Sequence, residues 1–354
     1  MIKKKSLKVM IVEDSAAVAE LLFHILNSDP EIEVIAKVSN GLEAINYIKN
    51  PRTIKPDVIS MDIEMPVMNG LEATRAIMDE VPTPILIVTS SWEPRDLEGT
   101  YDALQSGAMG VVQKPRGLDH PDHYRLAHEL ITWIKKVSQV TVKSRARKAF
   151  NTSEFGKPSM FEHEQKANRI KPEVIVIGTS TGGPPLLKKM LQSLSSDLKQ
   201  PILIVQHIAV GFVEGLVEWL NKESKLNIHL AEDKMVTQAG HVYIAPANYH
   251  MTVNIKNQIT LVNEDPMYSV KPSVGYLFES VSKSYGNKVL GVLLTGMGRD
   301  GGAEMRMMRD QGAVTIAQSE ETCVIFGMPK TAIDMDGATF VMSPDQIVDY
   351  INQL

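Results

Sequence analysis

Two sets of reactive side chains stand out in this 354-residue chain, and each member lies close behind a short apolar run. Ser180 lies in Gly178-Thr179-Ser180-Thr181-Gly182-Gly183, after Val174-Ile175-Val176-Ile177 and before Leu186-Leu187-Lys188-Lys189-Met190. A serine on a glycine-flanked strand-to-helix turn is held clear of the sheet, beside backbone N–H groups that can stabilise an oxyanion. That is acyl-transfer chemistry. The other set is Glu13, Asp14, Asp62, Thr89 and Lys114. Its three carboxylates repel one another and favour a hard, oxygen-loving cation such as Mg2+. The cation can neutralise a phosphoryl group arriving at Asp62, a carboxylate nucleophile, while Lys114 and Thr89 hold its oxygens. The combination points to a hydrolase under phosphorylation control.

A nucleophilic serine needs a base, and the base needs an acid to orient it. His207 directly follows Pro201-Ile202-Leu203-Ile204-Val205-Gln206, and Asp300 closes Thr295-Gly296-Met297-Gly298-Arg299-Asp300 behind the run Val289–Leu294. The chain order Ser, His, Asp differs from the Ser, Asp, His order of α/β-hydrolases, so the glycine-serine-glycine turn does not place it there. Among the nine histidines, His229, His241 and His250 lack an apolar strand immediately before them. The backbone N–H groups of Thr181 and Met297 are the expected oxyanion donors. Gly296, Gly298 and Gly301 also fit a dinucleotide fingerprint with Glu320 about twenty residues on. Glycine-rich strand-to-helix turns are common, and the aspartate inside this one is better used as the orienting acid.

These residues can meet only if the strands run parallel. From Val9 to about residue 138, short β-branched runs alternate with helical patterns five times, and from Pro172 the alternation resumes with strands expected at 174–177, 202–205, 289–294 and 313–317. That predicts an α/β protein of two doubly wound parallel-sheet domains, with loops converging at the carboxyl edge of each sheet. Residues 241–246, 252–255 and 258–262 read as short, partly antiparallel strands with a turn at Asn257. The expected boundaries are 6–138, a linker over 139–172 containing the basic cluster Lys143, Arg145, Arg147 and Lys148, and a larger domain over 173–354.

Composition sets the class. The chain is 44% hydrophobic and 22% charged, ordinary for a globular protein, and longer than one core usually supports. A net charge of -5 argues against coating nucleic acid, and the single Cys323 suits a reducing compartment. Lys3-Lys4-Lys5 leads into a strand pattern, not an apolar leader, and no run reaches a membrane span, so a cytoplasmic location is expected.

The order Glu-Asp-Ser, Met-Asp-Ile-Glu-Met-Pro, Val-Thr-Ser and Gln-Lys-Pro closely resembles the receiver domain of two-component response regulators. The resemblance implies Asp62 as phosphoacceptor, with Glu13, Asp14 and the Glu64 carbonyl near Mg2+, and a Lys114-Pro115 bond that is often cis. Many receivers carry an aromatic switch residue where this chain has Val111. The later motifs Gly-Thr-Ser-Thr-Gly-Gly, Gln-His, Leu-Thr-Gly-Met-Gly-Arg-Asp-Gly and Cys-Val-Ile-Phe-Gly-Met-Pro resemble the chemotaxis protein-glutamate methylesterases of the CheB type. Departures are Glu13, usually Asp in that family, and Gly302, usually Ala.

This resemblance implies hydrolysis of glutamate methyl esters on methyl-accepting chemoreceptors, with deamidation of receptor glutamines by the same chemistry. It implies a chemotaxis histidine kinase as phosphodonor, release of receiver inhibition on Asp62 phosphorylation, and no cofactor in the catalytic domain. Neither nucleic acid nor membrane insertion is expected. An adaptor that binds receptors without turnover has no use for a triad. A DNA-binding regulator would carry a shorter, more basic output domain than residues 173–354.

Overall fold

The computed structural model describes residues 6–90, 98–140, 142 and 171–354. It divides into two compact units, Met1–Asn151 and Thr152–Leu354. The expected linker, with its basic cluster, lies almost wholly outside the described residues.

The first unit runs β1 (Leu7–Val12), α1 (Ala16–Asn27), β2 (Ile32–Val38), α2 (Gly41–Lys49), β3 (Val58–Met61), α3 (Gly70–Glu80), β4 (Ile85–Thr89), α4 (Glu98–Gln105), β5 (Gly110–Gln113) and α5 (His123–Val137). All strand pairs are parallel, in the order β2-β1-β3-β4-β5. Strands β3, β4 and β5 are buried along their whole length, which is why they read as unbroken apolar runs instead of alternating patterns. Helix starts are written locally. Ser15 accepts the Val18 N–H at the head of α1, and Asn69 with Glu72 forms a capping box on α3.

The second unit runs β6 (Val174–Thr179), α6 (Gly183–Ser193), β7 (Ile202–Gln206), α7 (Val213–Asn221), β8 (Asn227–Leu230), β9 (His241–Ile244), β10 (His250–Val253), β11 (Ile259–Val262), α8 (Val274–Tyr285), β12 (Val289–Leu293), α9 (Gly302–Asp310), β13 (Val314–Gln318), α10 (Met328–Asp334), β14 (Phe340–Met342) and α11 (Pro344–Asn352). Seven strands form one parallel sheet in the order β14-β13-β12-β6-β7-β9-β8. Its faces are closed by apolar side chains such as Val176, Leu203, Phe278, Met305 and Met328, all buried. Each such burial is worth roughly 1.5–3 kcal/mol.

The antiparallel element is smaller than the sequence suggests. Residues 241–244 join the parallel sheet between β7 and β8, and among the described residues β10 and β11 are the two strands that pair antiparallel. Asn257 turns that hairpin with a positive φ of 59°, its N–H donating to the Asn254 carbonyl at 3.0 Å. Among the described residues, no helix is long and apolar enough to cross a membrane.

Candidate active site

In both sheets the reactive residues gather where the strand order reverses. In a doubly wound sheet that is where neighbouring loops diverge and leave a crevice. Strand β6 is central in the larger sheet, flanked by β7 and β12. Ser180, His207 and Asp300 follow these three neighbouring strands.

The pairing of β6 with its neighbours continues beyond the strands and fixes Ser180. Thr179 pairs with Gln206, and the His207 N–H donates to the Thr179 carbonyl at 3.0 Å. On the other side the Ser180 N–H donates to the Thr295 carbonyl at 3.0 Å, so that N–H is unavailable to an oxyanion. The Thr295 hydroxyl donates to the Thr181 carbonyl at 3.1 Å and accepts from the Val324 and Ile325 N–H groups. A Cβ on Gly296 would lie 2.8 Å from the Ser180 Cβ, so the Gly296–Met297 turn can approach the serine only because residue 296 has no side chain. Among the described residues, the N–H groups of Thr181 and Met297 donate to no protein acceptor.

Asp300 is held with unusual completeness. One carboxylate oxygen accepts from the Ser273 hydroxyl at 2.7 Å and the Gly275 N–H at 2.9 Å. The other accepts from the Val274 N–H at 2.7 Å and from His207 Nε2 at 2.9 Å. Ser273 is the N-cap of α8, so the acid sits on the positive end of a helix. Burial alone would raise its pKa. The bonds from His207, Ser273 and Gly275 outweigh that and hold the carboxyl below the usual carboxylate range.

The imidazole is therefore oriented Nε2–H toward Asp300. Its lone pair lies on Nδ1, the ring nitrogen that remains able to accept a proton. This is the reverse of the ring orientation in the chymotrypsin triad. Ser180 is buried, and His207 retains partial exposure.

Several supporting residues escaped sequence reasoning. Ser273 could have been found, since a serine before the apolar run Val274–Val281 is an N-cap signal. His250 is fully buried, a core position invisible to strand-end logic. Its Nδ1 accepts the Ser273 N–H at 3.1 Å, its Nε2 donates to the Asp265 carbonyl at 3.0 Å, and its ring stacks on Tyr276 at 3.8 Å. Burial pushes its pKa down and favours the neutral ring that this pattern needs. Glu304, on α9, is also buried beside the site. Burial, together with the nearby Asp300 charge, raises its pKa, and its Oε2 has no hydrogen-bond partner.

In the smaller sheet the order reverses at β1 and β3, and Glu13, Asp14 and Asp62 follow these strands. One oxygen from each lies within 4.8 Å of the others. Lys114, after β5, places its Nζ 2.7 Å from Asp62 Oδ2 and 2.9 Å from Glu13 Oε2. Both contacts join side chains that are almost wholly withdrawn from solvent. Burial raises the Glu13 pKa. For Lys114, burial is outweighed by the two carboxylates, and its pKa rises. Three carboxylates against one ammonium leave excess negative charge, and this all-oxygen donor set suits a hard divalent cation.

Thr89 ends β4 with its side chain buried, and its carbonyl accepts the Lys114 N–H at 2.8 Å. Glu64 is exposed in the loop after Asp62. Asp57 lies at the opposite, amino edge of β3, where its carboxylate accepts the Lys8 N–H at 2.8 Å. The Lys114-Pro115 bond is trans; among the described residues only Lys271-Pro272 is cis.

A family model described as CheB methylesterase matches residues 175–351, and one described as response regulator receiver domain matches residues 9–124. A protein-glutamate methylesterase/protein-glutamine glutaminase of Nitrosospira multiformis is 43% identical over 352 residues, covering 98% of this chain and 97% of the relative. One from Syntrophus aciditrophicus is 41% identical over 348 residues, covering 98% of each. Among solved structures, the Thermotoga maritima CheB methylesterase catalytic domain superposes with a TM-score of 0.50 at 33% identity. That match covers 52% of this chain and 99% of the other.

Proposed function

The chain belongs to the CheB methylesterase family and carries a response regulator receiver domain, and from that premise we propose that it demethylates glutamate methyl esters on chemoreceptors through Ser180, His207 and Asp300. Ser180 Oγ attacks the ester carbonyl as His207 Nδ1 takes its proton. The carbonyl oxygen, now anionic, accepts from the N–H groups of Thr181 and Met297. His207 returns the proton to the departing methoxide, which leaves as methanol. Water then attacks the acyl-serine with His207 again as base, restoring the free glutamate and Ser180. Asp300 holds the imidazole tautomer and offsets the charge of the imidazolium. With a glutamine side chain the leaving group is ammonia, so the same centre deamidates receptor glutamines. The catalytic domain needs no cofactor for this. The observation that carries the reading is the Asp300 carboxylate saturated by four donors, one of them His207 Nε2.

The receiver supplies control. Asp62 is the phosphoacceptor, and a chemotaxis histidine kinase in the cytoplasm is the donor. Glu13, Asp14, Asp62 and the Glu64 carbonyl would hold Mg2+, which when bound offsets the charge of the incoming phosphoryl group. Lys114 and Thr89 take the phosphoryl oxygens. The functional division is a receiver over 6–138, a tether over 139–172 and the esterase over 173–354. Phosphorylation of Asp62 relieves inhibition of the esterase by the receiver.

The test is methanol release from radiolabelled, methylated chemoreceptor membranes, with and without acetyl phosphate and Mg2+. Release should vanish in Ser180→Ala and rise with the phosphodonor only while Asp62 is intact. Full release by Ser180→Ala would refute the site, and release indifferent to the phosphodonor would refute the control.

A further inference from the structure

Gln206 immediately precedes the proposed base, and its side chain is buried between the two reactive residues. Its Nε2 donates to the Ser180 carbonyl at 2.9 Å and to the His207 carbonyl at 2.8 Å. Both hydrogens of one amide group are thus spent on the main chain of the nucleophile and of the base. We propose that Gln206 is a positioning residue that locks the Thr181 oxyanion donor and the His207 backbone together. This rests on the assignment of Ser180 and His207 made above.

The orientation of the amide is not arbitrary. Turned over, its oxygen would face two carbonyl oxygens, so the nitrogen must point at them. Its Oε1 is then left buried without a hydrogen-bond partner. An unpaired buried acceptor costs a fold stability, and an apolar side chain of similar size would avoid that cost. A glutamine here is accounted for by what its two N–H groups do. Room for the amide is also reserved: a Cβ on Gly183, the first residue of α6, would lie 2.1 Å from Gln206 Oε1.

The link to catalysis follows from peptide planarity. In a trans peptide the N–H points opposite to the C=O of the preceding residue. The Ser180 carbonyl is pinned by Gln206 and by the Gly183 N–H at 2.9 Å. The Thr181 N–H is therefore turned away from Gln206, and it spends itself on no protein acceptor among the described residues. A preorganised donor is worth more than one that must reorient as charge develops. Without the clasp, the Ser180–Thr181 plane keeps only the Gly183 bond, and the His207 carbonyl loses its amide donor.

The experiment uses the full chain with Mg2+, acetyl phosphate and methylated chemoreceptor membranes, comparing Gln206→Glu, Gln206→Leu and Ser180→Ala. Both Gln206 variants keep the side chain's approximate size, and Gln206→Glu also its shape; circular dichroism identifies the folded protein that is assayed. Removing a whole oxyanion donor costs about 10²–10³ in kcat, so misaiming one should cost about 10- to 100-fold. KM should stay within about twofold, because ground-state binding does not use that donor. Inactivation of Ser180 by phenylmethylsulfonyl fluoride should slow in parallel. A folded Gln206→Glu with wild-type kcat, or a loss confined to KM, overturns the proposal. Should that occur while Ser180→Ala is inactive, the clasp alone fails; an active Ser180→Ala overturns the site itself.

Discussion

Replacing Asp300 by asparagine tests the triad at its most constrained atom. The carboxylate offers acceptors only, and the four donors aimed at it are His207 Nε2, the Ser273 hydroxyl, and the Val274 and Gly275 N–H groups. An amide keeps one oxygen and introduces two N–H donors. Placed toward His207, the amide nitrogen forces the ring to move its proton to Nδ1, where the Ser180 proton should go. Placed toward Ser273, it meets the Gly275 N–H donor to donor, and that N–H keeps only the Ser273 hydroxyl at 3.0 Å. Losing the bond costs about 0.5–1.5 kcal/mol of stability, or a few degrees in Tm for a domain of this size. Either way the charge that stabilises the imidazolium is gone. The same substitution in the chymotrypsin triad lowers kcat by about 10⁴, so a loss of about 10³–10⁴ is expected here, about 4–5 kcal/mol of barrier. The assay is methanol release under saturating receptor, with a thermal melt on the same preparation. A folded Asp300→Asn within tenfold of wild type would refute the assignment.

Glu304 prefers its neutral form in the fold, because its pKa is raised above 4.5. Its contribution is complete below that value and is lost as pH rises through the raised pKa. Glu304→Gln should therefore raise Tm at pH 8 by a few degrees, with the gain vanishing near pH 4; a pH-independent change counts against this. Gly302→Ala puts a Cβ 2.6 Å from Thr331 Cγ2 and should cost about 1–3 kcal/mol in a denaturant titration. Thr331→Ser removes that methyl and should restore the loss. Because burial raises the Glu13 pKa, Mg2+ affinity measured by calorimetry should weaken as pH falls through that raised pKa, and Glu13→Gln should flatten that dependence.

The placement of the candidate residues was legible because each follows a parallel strand that is buried at its carboxyl end, and such strands announce themselves as apolar runs. Ser180, His207 and Asp62 needed only that rule. β8 gave no such signal, since Asn227-Ile228-His229-Leu230 is half polar at the sheet's edge. β9 looked antiparallel because it has four residues and precedes a true hairpin; its direction is set by β7, a partner remote in sequence. The acid's surroundings were also hidden. Ser273 and Asp300 are 27 residues apart, and although Ser273 carries a local N-cap signal, nothing local to either predicts that Asp300 rests on the helix it caps. Gly302 departs from the alanine expected by resemblance, and the Thr331 methyl facing it gives the steric reason.

That helix makes the acid's geometry a matter of local folding. Two of the bonds on Asp300 come from the amides of Val274 and Gly275, the first two residues of α8. Any fluctuation that frays this first turn releases the carboxylate and, with it, the imidazole. The deuterium exchange rates of those two amides should accordingly report how often the assembled centre comes apart. A substrate or inhibitor that depends on the intact triad should slow both together.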